Sequence, residues 1–254
     1  MKITLSIIIT TYKRENLLKR CLDSILFQID KKNIFFEVLI IDDEKSKKIQ
    51  NLVKNFSNNF NYLKKNKPPF NNKGVSNSRN LGILNSKGNY LLFLDDDDFL
   101  VQGSLQKIYE IIYQNLNISF FWFSNIYYYG KDYKISKNNK NLDNLLVKNF
   151  IPVGSYIIKK EFIKSFFNTE VNTHEDWLFL LENVLNLKSL FIPEIISVVD
   201  KTTSESLMKQ EFTSFFNDFK YIYNKVLVDN EEIENMRKRK LDFLLKNYGG
   251  DGET

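Results

Sequence analysis

A chain of 254 residues, 43% hydrophobic and 26% charged, can bury a sizeable core and fits one large α/β domain with a small appendage. Its single cysteine, Cys21, excludes an internal disulfide and a cysteine-rich zinc site. The net charge of +5 is carried by lysines scattered among asparagines, which points to a solvated basic surface and away from nucleic-acid binding.

Met1-Lys2 leads straight into an apolar segment and no apolar run reaches membrane-spanning length, so the expected location is the cytoplasm. Ile3 to Ile9 reads as a strand. Glu15 to Gln28 reads as a helix, with Leu17, Leu18, Cys21, Leu22, Ile25 and Leu26 at helical spacing. Phe36 to Ile41 is a second strand, and Ser46 to Phe56 a helix with Ile49, Leu52, Val53 and Phe56 on one face. Asn61 to Leu63 is a short third strand, Val75 to Asn85 a helix, and Tyr90 to Leu94 a fourth strand; a further helix begins near Gln102. Continuous apolar strands separated by helices predict a parallel sheet buried on both faces, with ligands outside the carboxyl ends of its strands.

Beyond this the texture changes. Ile118 to Tyr129 is aromatic and β-prone, followed by a hairpin turn at Gly130-Lys131-Asp132 and an exposed polar loop over 137–141. Short elements run to about Val199. Two helices, Leu207 to Val228 and Glu231 to Tyr248, precede a glycine-rich tail, 249–254, that reads as disordered.

Polar side chains gather at the predicted strand ends. Thr10-Thr11-Tyr12-Lys13-Arg14 follows the first strand, Asp42-Asp43 the second, and Asp95-Asp96-Asp97-Asp98 the fourth. Four neighbouring carboxylates raise one another's pKa unless a cation or donors compensate, and a hard divalent ion such as Mg²⁺ or Mn²⁺ is the natural partner. An aromatic ring, basic residues and carboxylates on one rim suit a nucleotide. Asp42-Asp43 fits either a nucleotide contact or an N-terminal cap for the Ser46 helix. Arg79 reads either as an anchored contact to a base or phosphate or as a surface arginine. There is no P-loop and no GxGxxG fingerprint.

His174-Glu175-Asp176-Trp177 opens another apolar helix. The helix dipole is expected to hold the acidic pair ionised, either as a general base or as an ordinary acidic first turn. His174 reads as a local hydrogen-bonding residue rather than a metal ligand.

In order along the first 180 or so residues, Ser6 to Arg14, Val38 to Asp43, Gly74 to Gly82, Phe93 to Phe99 and Glu175-Asp176-Trp177 together resemble the family 2 glycosyltransferases of the GT-A fold. The resemblance implies a Rossmann-like, mostly parallel sheet flanked by helices, with a C-terminal helical extension. It divides the chain into a nucleotide-sugar half (1–100), an acceptor half (101–200) and the extension (201–248). It also implies an inverting, metal-dependent transfer from a nucleotide-sugar donor, a UDP-sugar, to a glycan or lipid-linked saccharide. Asp97 then corresponds to the direct ligand of Mn²⁺ or Mg²⁺, Asp96 to a ribose or phosphate partner and Asp95 to a supporting carboxylate, with the register within the four aspartates open by one residue. Thr10, Tyr12, Asp42 and Arg79 correspond to uridine contacts, and Arg14 stands with them on the donor side. Asp176 corresponds to the catalytic base, with Glu175 and Trp177 beside the acceptor or donor sugar. Where relatives often carry an Arg or His near a Ser-rich segment over the diphosphate, this chain has Asp200-Lys201-Thr202-Thr203-Ser204.

Two other classes compete: a sugar-binding module without turnover, and a receiver-like signalling domain, which would leave the segment from Ile118 onward unexplained. The last helix carries Met236-Arg237-Lys238-Arg239-Lys240 before Leu241, Phe243, Leu244 and Leu245. It reads either as a core-packed helix with a solvated basic face or as a peripheral contact to an anionic membrane.

Overall fold

The computed structural model describes residues 4–28, 34–65, 69–70, 72–136, 140–171, 173–202 and 212–248. The first residues of the opening strand, residues 137–139 of the polar loop, the predicted helical turns over 207–211 and the tail 249–254 lie outside the described residues.

The first half is built as the apolar pattern predicts. Strands β1 (Leu5–Thr11), β2 (Phe36–Asp42), β3 (Phe60–Leu63) and β4 (Tyr90–Asp95) are parallel neighbours in the order β3-β2-β1-β4. Every residue of β1 is buried, because both faces are covered. Ile7, Ile9, Val38, Ile40, Leu92 and Leu94 pack against Leu18, Cys21, Leu22 and Ile25 of α1 (Glu15–Leu26) and Ile49 and Val53 of α2 (Lys47–Lys54). On the opposite face Ile8, Leu39, Ile41, Leu91 and Phe93 meet Ile83 of α3 (Val75–Asn85) and the apolar side of α5 (Glu175–Asn183). Helix α3 lies so close to β1 that a Cβ at Gly82 would come within 2.4 Å of the Ile8 Cγ2 atom. Ser46, rather than Asp42 or Asp43, caps α2: its side chain accepts from the amides of Lys48 and Ile49.

The same sheet continues through the second half. After β5 (Phe99–Leu100) and α4 (Ser104–Gln114) come β6 (Phe120–Tyr128), β7 (Tyr133–Ser136), β8 (Tyr156–Lys159) and β9 (Ser189–Asp200). The order runs on as β4-β8-β6-β9-β5, with β7 paired to β6. Strand β8 is antiparallel to both β4 and β6, whereas β6 and β9 are parallel. The expected hairpin is present: Tyr128 pairs with Tyr133 across a turn in which Gly130 takes φ 89°.

Twelve-residue β9 departs from the expectation of short elements. Pro193 breaks its pattern because it has no N–H for the ladder. The strand absorbs the proline in an irregularity: the register passes from Phe123–Ile192 to Ser124–Ile195, leaving Pro193 and Glu194 outside the pairing.

Helices α6 (Phe212–Lys225) and α7 (Glu231–Tyr248) close the described chain. Arg237, expected on the basic face of α7, is turned inward and is 2% exposed. Its Nε donates to the Leu146 carbonyl and its Nη1 to the Val226 carbonyl, both at 2.8 Å, and it stacks on Tyr223. A buried guanidinium requires such acceptors, so Arg237 fastens α7 to the core beside buried Leu244. Among the described residues no helix is long and apolar enough to cross a membrane.

Candidate functional site

Parallel register brings the predicted strand ends to one level. Thr10 pairs with Ile41 and with Asp95, and Thr11 pairs with Asp42. The turn after β4, closed by a bond from the Asp98 amide to the Asp95 carbonyl, sends its four carboxylates in different directions.

Asp96 turns toward β1, accepting from the Thr11 hydroxyl at 2.6 Å and from Arg14 at 3.3 Å. Burial pushes its pKa up to about 6 against the lowering effect of Thr11 and Arg14. Asp97 accepts from Arg14 at 2.9 Å. Asp98 turns toward β9, where its Oδ1 accepts from the Asp200 amide at 2.9 Å. Burial holds Asp98 well above the usual carboxylate range, aided by the charges of Asp95 and Asp97. Asp95 accepts from Arg79 at 2.8 Å. Asp95, Asp97 and Asp98 can each offer one oxygen such that the three lie within 4.8 Å of one another. Three carboxylate oxygens so placed fit a hard divalent cation.

The rest of the rim is polar. Exposed Tyr12 has the ammonium groups of Lys13 and Lys73 5.1 and 5.7 Å from its ring centroid. Thr10 is buried at the strand end. Asp42 is wholly buried, accepting from the amides of Glu44 at 3.0 Å and Ser46 at 2.5 Å and from the Tyr62 hydroxyl at 3.3 Å. Asp43 pairs with buried Lys65 and accepts from the Gly74 amide at 2.8 Å, which ties β2 to the start of α3. Lys65 has no periodic or motif signal in the sequence; only the fold shows its partner.

Arg79 is neither a surface arginine nor an open contact. It is 4% exposed and bridges Asp95 to Glu175, with Nη1 at 2.7 Å from Glu175 Oε1. This one guanidinium joins the acidic turn to the acidic start of α5. Asp176 lies beside it, its Oδ2 accepting from the Asn149 amide at 2.8 Å and its Oδ1 from the Trp177 amide at 2.7 Å.

The expectation that the helix dipole holds Asp176 ionised is corrected. Burial dominates, Glu175 adds like-charge repulsion, and the pKa rises to about 7 although Arg79 and the Trp177 amide oppose the rise. Glu175 is a buried partner of Arg79, which it holds through Oε1.

Trp177 is also corrected. It is wholly buried, its indole N–H donates to the Leu145 carbonyl at 2.7 Å, and it packs against Phe219 and Tyr223, so it supports the site from within the core. His174 behaves as read. It exchanges a 2.7 Å hydrogen bond with Thr173, lies against Phe215 and Phe219, and burial lowers its pKa to about 4.

Arg20 and Asn149 belong to the same neighbourhood without a signal in the sequence, and so does Asp200, which the sequence marks only within the segment that departs from the relatives. Arg20 donates to the Asp97 carbonyl and, at 2.6 Å, to Asp200. An arginine on an amphipathic helix and an asparagine in a loop look like surface residues until the fold supplies their partners.

Against known proteins, the family model described as glycosyl transferase family 2 matches residues 6–176. An uncharacterized glycosyltransferase of Haemophilus influenzae is 34% identical over 118 residues, 46% of this chain and 37% of its own length. Glycosyltransferase GlyA of Streptococcus pneumoniae is 33% identical over 42% of this chain and 15% of its own length, so the chain spans well under two thirds of both these relatives. The poly(ribitol-phosphate) beta-N-acetylglucosaminyltransferase TarP of Staphylococcus aureus is 27% identical over 96% of this chain and 80% of its own. Among solved structures, S. aureus TarS 1-349 in complex with UDP-GlcNAc has TM-score 0.75 at 18% identity, covering 98% of this chain and 75% of that one. The mannosyltransferase PcManGT of Pyrobaculum calidifontis, in complex with GDP-Man and Mn²⁺, has TM-score 0.64 at 12% identity, covering 98% and 76%. These neighbours share the GT-A architecture that the resemblance implies. The family match runs from β1 through the acidic turn to the first residues of α5, and the chain belongs to glycosyltransferase family 2.

Proposed function

We propose that this chain transfers a sugar from a nucleotide-sugar donor, a UDP-sugar, to a hydroxyl of a glycan or lipid-linked saccharide, with inversion at the anomeric carbon. The observation that carries the reading is the Arg79 bridge, which sets the carboxylates of the β4 turn and the acidic start of α5 in one site. The relative TarP, by its name, and the structural neighbour TarS, by its bound UDP-GlcNAc, support N-acetylglucosamine as the first sugar to test.

In this reading Tyr12 and Thr10 stand on the side of the base and ribose, Asp96 faces the ribose or phosphate, and Asp42, wholly buried on the Glu44 and Ser46 amides, shapes that side from beneath. Asp97 is the direct ligand for Mn²⁺ or Mg²⁺, with Asp95 and Asp98 in reach. The bound cation would neutralise charge on the departing nucleoside diphosphate. Arg14, half-exposed on Asp96 and Asp97, is free to turn onto a diphosphate oxygen when a cation takes its place. Asp176 accepts the proton of the attacking hydroxyl. A pKa of about 7 makes it an effective base at neutral pH, and the Asn149 and Trp177 donors fix its two oxygens. One base and one direct displacement give inversion, as in inverting glycosidases with the acceptor hydroxyl in the place of water.

The proposed place of the reaction is the cytoplasm, where nucleotide sugars are made. If the acceptor is lipid-linked, the exposed Lys238, Arg239, Phe243 and Leu245 of α7 offer the contact to the membrane. Sedimentation with anionic liposomes at low salt tests that contact, and absence of binding rejects it.

The experiment is thermal stability against UDP-, GDP-, dTDP- and CMP-sugars, each with and without Mn²⁺. A Mn²⁺-dependent rise with a UDP-sugar supports the reading. No rise with any nucleotide sugar overturns it.

A further inference from the structure

We propose that Arg20 and Asp200 form a clamp that positions the cation-binding turn, making Arg20 a positioning residue for the ligand Asp97. The proposal rests on the cation reading of the same rim given above.

Three consecutive contacts show that α1 is the backing of this turn. Cys21 Sγ lies 3.7 Å from the Asp95 carbonyl, Arg20 Nη2 donates to the Asp97 carbonyl, and Ser24 Oγ accepts from the Leu100 amide at 3.0 Å. Positions 20, 21 and 24 share one face of a helix, so a single rigid element fixes the turn at its start, middle and exit. Leu18, Cys21, Leu22 and Ile25 anchor that helix in the core.

The Arg20 contact also closes a ring. Its Nη1 donates to Asp200 Oδ2 at 2.6 Å, and the Asp200 amide donates to Asp98 Oδ1 at 2.9 Å. The ring therefore runs from the Asp97 carbonyl through Arg20 and Asp200 to the Asp98 carboxylate, and back along the chain. The Asp97 peptide plane and the Asp98 side chain are held from opposite ends.

The side chain of Asp200 is fully buried, and its other oxygen accepts from the Thr202 amide at 2.8 Å and hydroxyl at 2.6 Å. A guanidinium this near a cation site would by itself repel the cation. Paired with Asp200 it acts as a neutral, directional donor, so the turn gains orientation without gaining net positive charge. The Phe99 ring, 5.1 Å from the guanidinium carbon, limits its swing. The clamp also couples the turn to the exit of β9, because any shift of Asp200 moves the Asp98 acceptor and the Arg20 donor together.

The test is Mn²⁺ affinity of the full chain in the presence of UDP, read by electron paramagnetic resonance of free Mn²⁺, for wild type, Arg20→Met, Arg20→Lys and the double variant Arg20→Met/Asp200→Asn. Partners of metal ligands typically change affinity 10- to 100-fold, so Arg20→Met is expected to weaken Mn²⁺ binding by about 10-fold, with partial recovery in Arg20→Lys. UDP affinity in EDTA should stay within about twofold of wild type, a split that general loosening of the fold would not produce. Because Arg20→Met strands a buried carboxylate, the double variant removes both charges and decides the question if the single variant does not fold. Mn²⁺ affinity within about twofold of wild type in the folded variants overturns the clamp while leaving the cation reading intact. Absence of Mn²⁺ binding by the wild-type protein with UDP overturns both.

Discussion

Asp95, at the end of β4, and Glu175, at the start of α5, are held by the same guanidinium: Arg79 reaches the first at 2.8 Å and the second at 2.7 Å. The guanidinium and the Glu175 end of the bridge are buried, so its worth is best seen by breaking it. Replacing Arg79 by Met leaves one carboxylate buried and unpaired and brings Asp176 a second uncompensated neighbour. A stability loss of about 3–5 kcal/mol is expected in urea unfolding, together with loss of turnover. Arg79→Lys keeps the charge but cannot serve both partners and should fall between the two.

The pH dependence follows from Asp176. Its pKa is raised to about 7, so the carboxylate form needed to accept a proton is lost as pH falls through that value. The kcat/KM profile is expected to rise with pH on a limb centred near 7 and then level off. The Asn149 amide donates to the ionised form. In Asn149→Ala that stabilisation is gone, and the limb should move to higher pH. A limb that stays in place would show that Asn149 does not act on the base.

Within the four aspartates, surroundings distinguish roles that the sequence leaves open. Asp97→Asn should remove the Mn²⁺-dependent part of donor-induced thermal stabilisation. Asp98→Asn, whose Oδ1 serves the Asp200 amide, should retain most of it while weakening Mn²⁺. The opposite ranking would move the metal register by one residue.

Trp177 separates a core role from a sugar-binding role. Trp177→Phe keeps an aromatic ring but loses the bond to the Leu145 carbonyl, and is expected to cost about 1–3 kcal/mol in stability. The donor and acceptor KM values should not change. A sugar-specific rise in KM at unchanged stability would return Trp177 to the pocket.

The legible part of this protein is the part governed by local pattern. The buried runs of β1, β2 and β4 and the helices between them stand within about two residues of their predicted bounds, as expected where both faces of a strand are apolar. Strand-end placement then made Thr10, Asp42 and the four aspartates legible as one rim. What stayed hidden depends on tertiary partners. The apolar halves of β9 read as fragments because Pro193 interrupts them, and only the β6 register shows one strand. The resemblance sets Trp177 and Glu175 beside a sugar, whereas α5 buries Trp177 in the core and pairs Glu175 with Arg79. At Asp176 the cost of burial outweighs the pull of the helix N-terminus, and burial depends on tertiary partners that the first turn of α5 does not reveal. Arg237 looked like one more cation in a basic run and is instead the fastening of α7, which no periodicity signals.

The most direct measurement compares wild type with Asp176→Asn, both with a UDP-sugar, Mn²⁺ and acceptor, for UDP release and donor-induced thermal shift. The variant is expected to keep the thermal shift and to lose UDP release by at least about 100-fold, because only the proton acceptor has been removed. UDP release by Asp176→Asn at a near-normal rate would contradict the assignment of the base and the mechanism built on it.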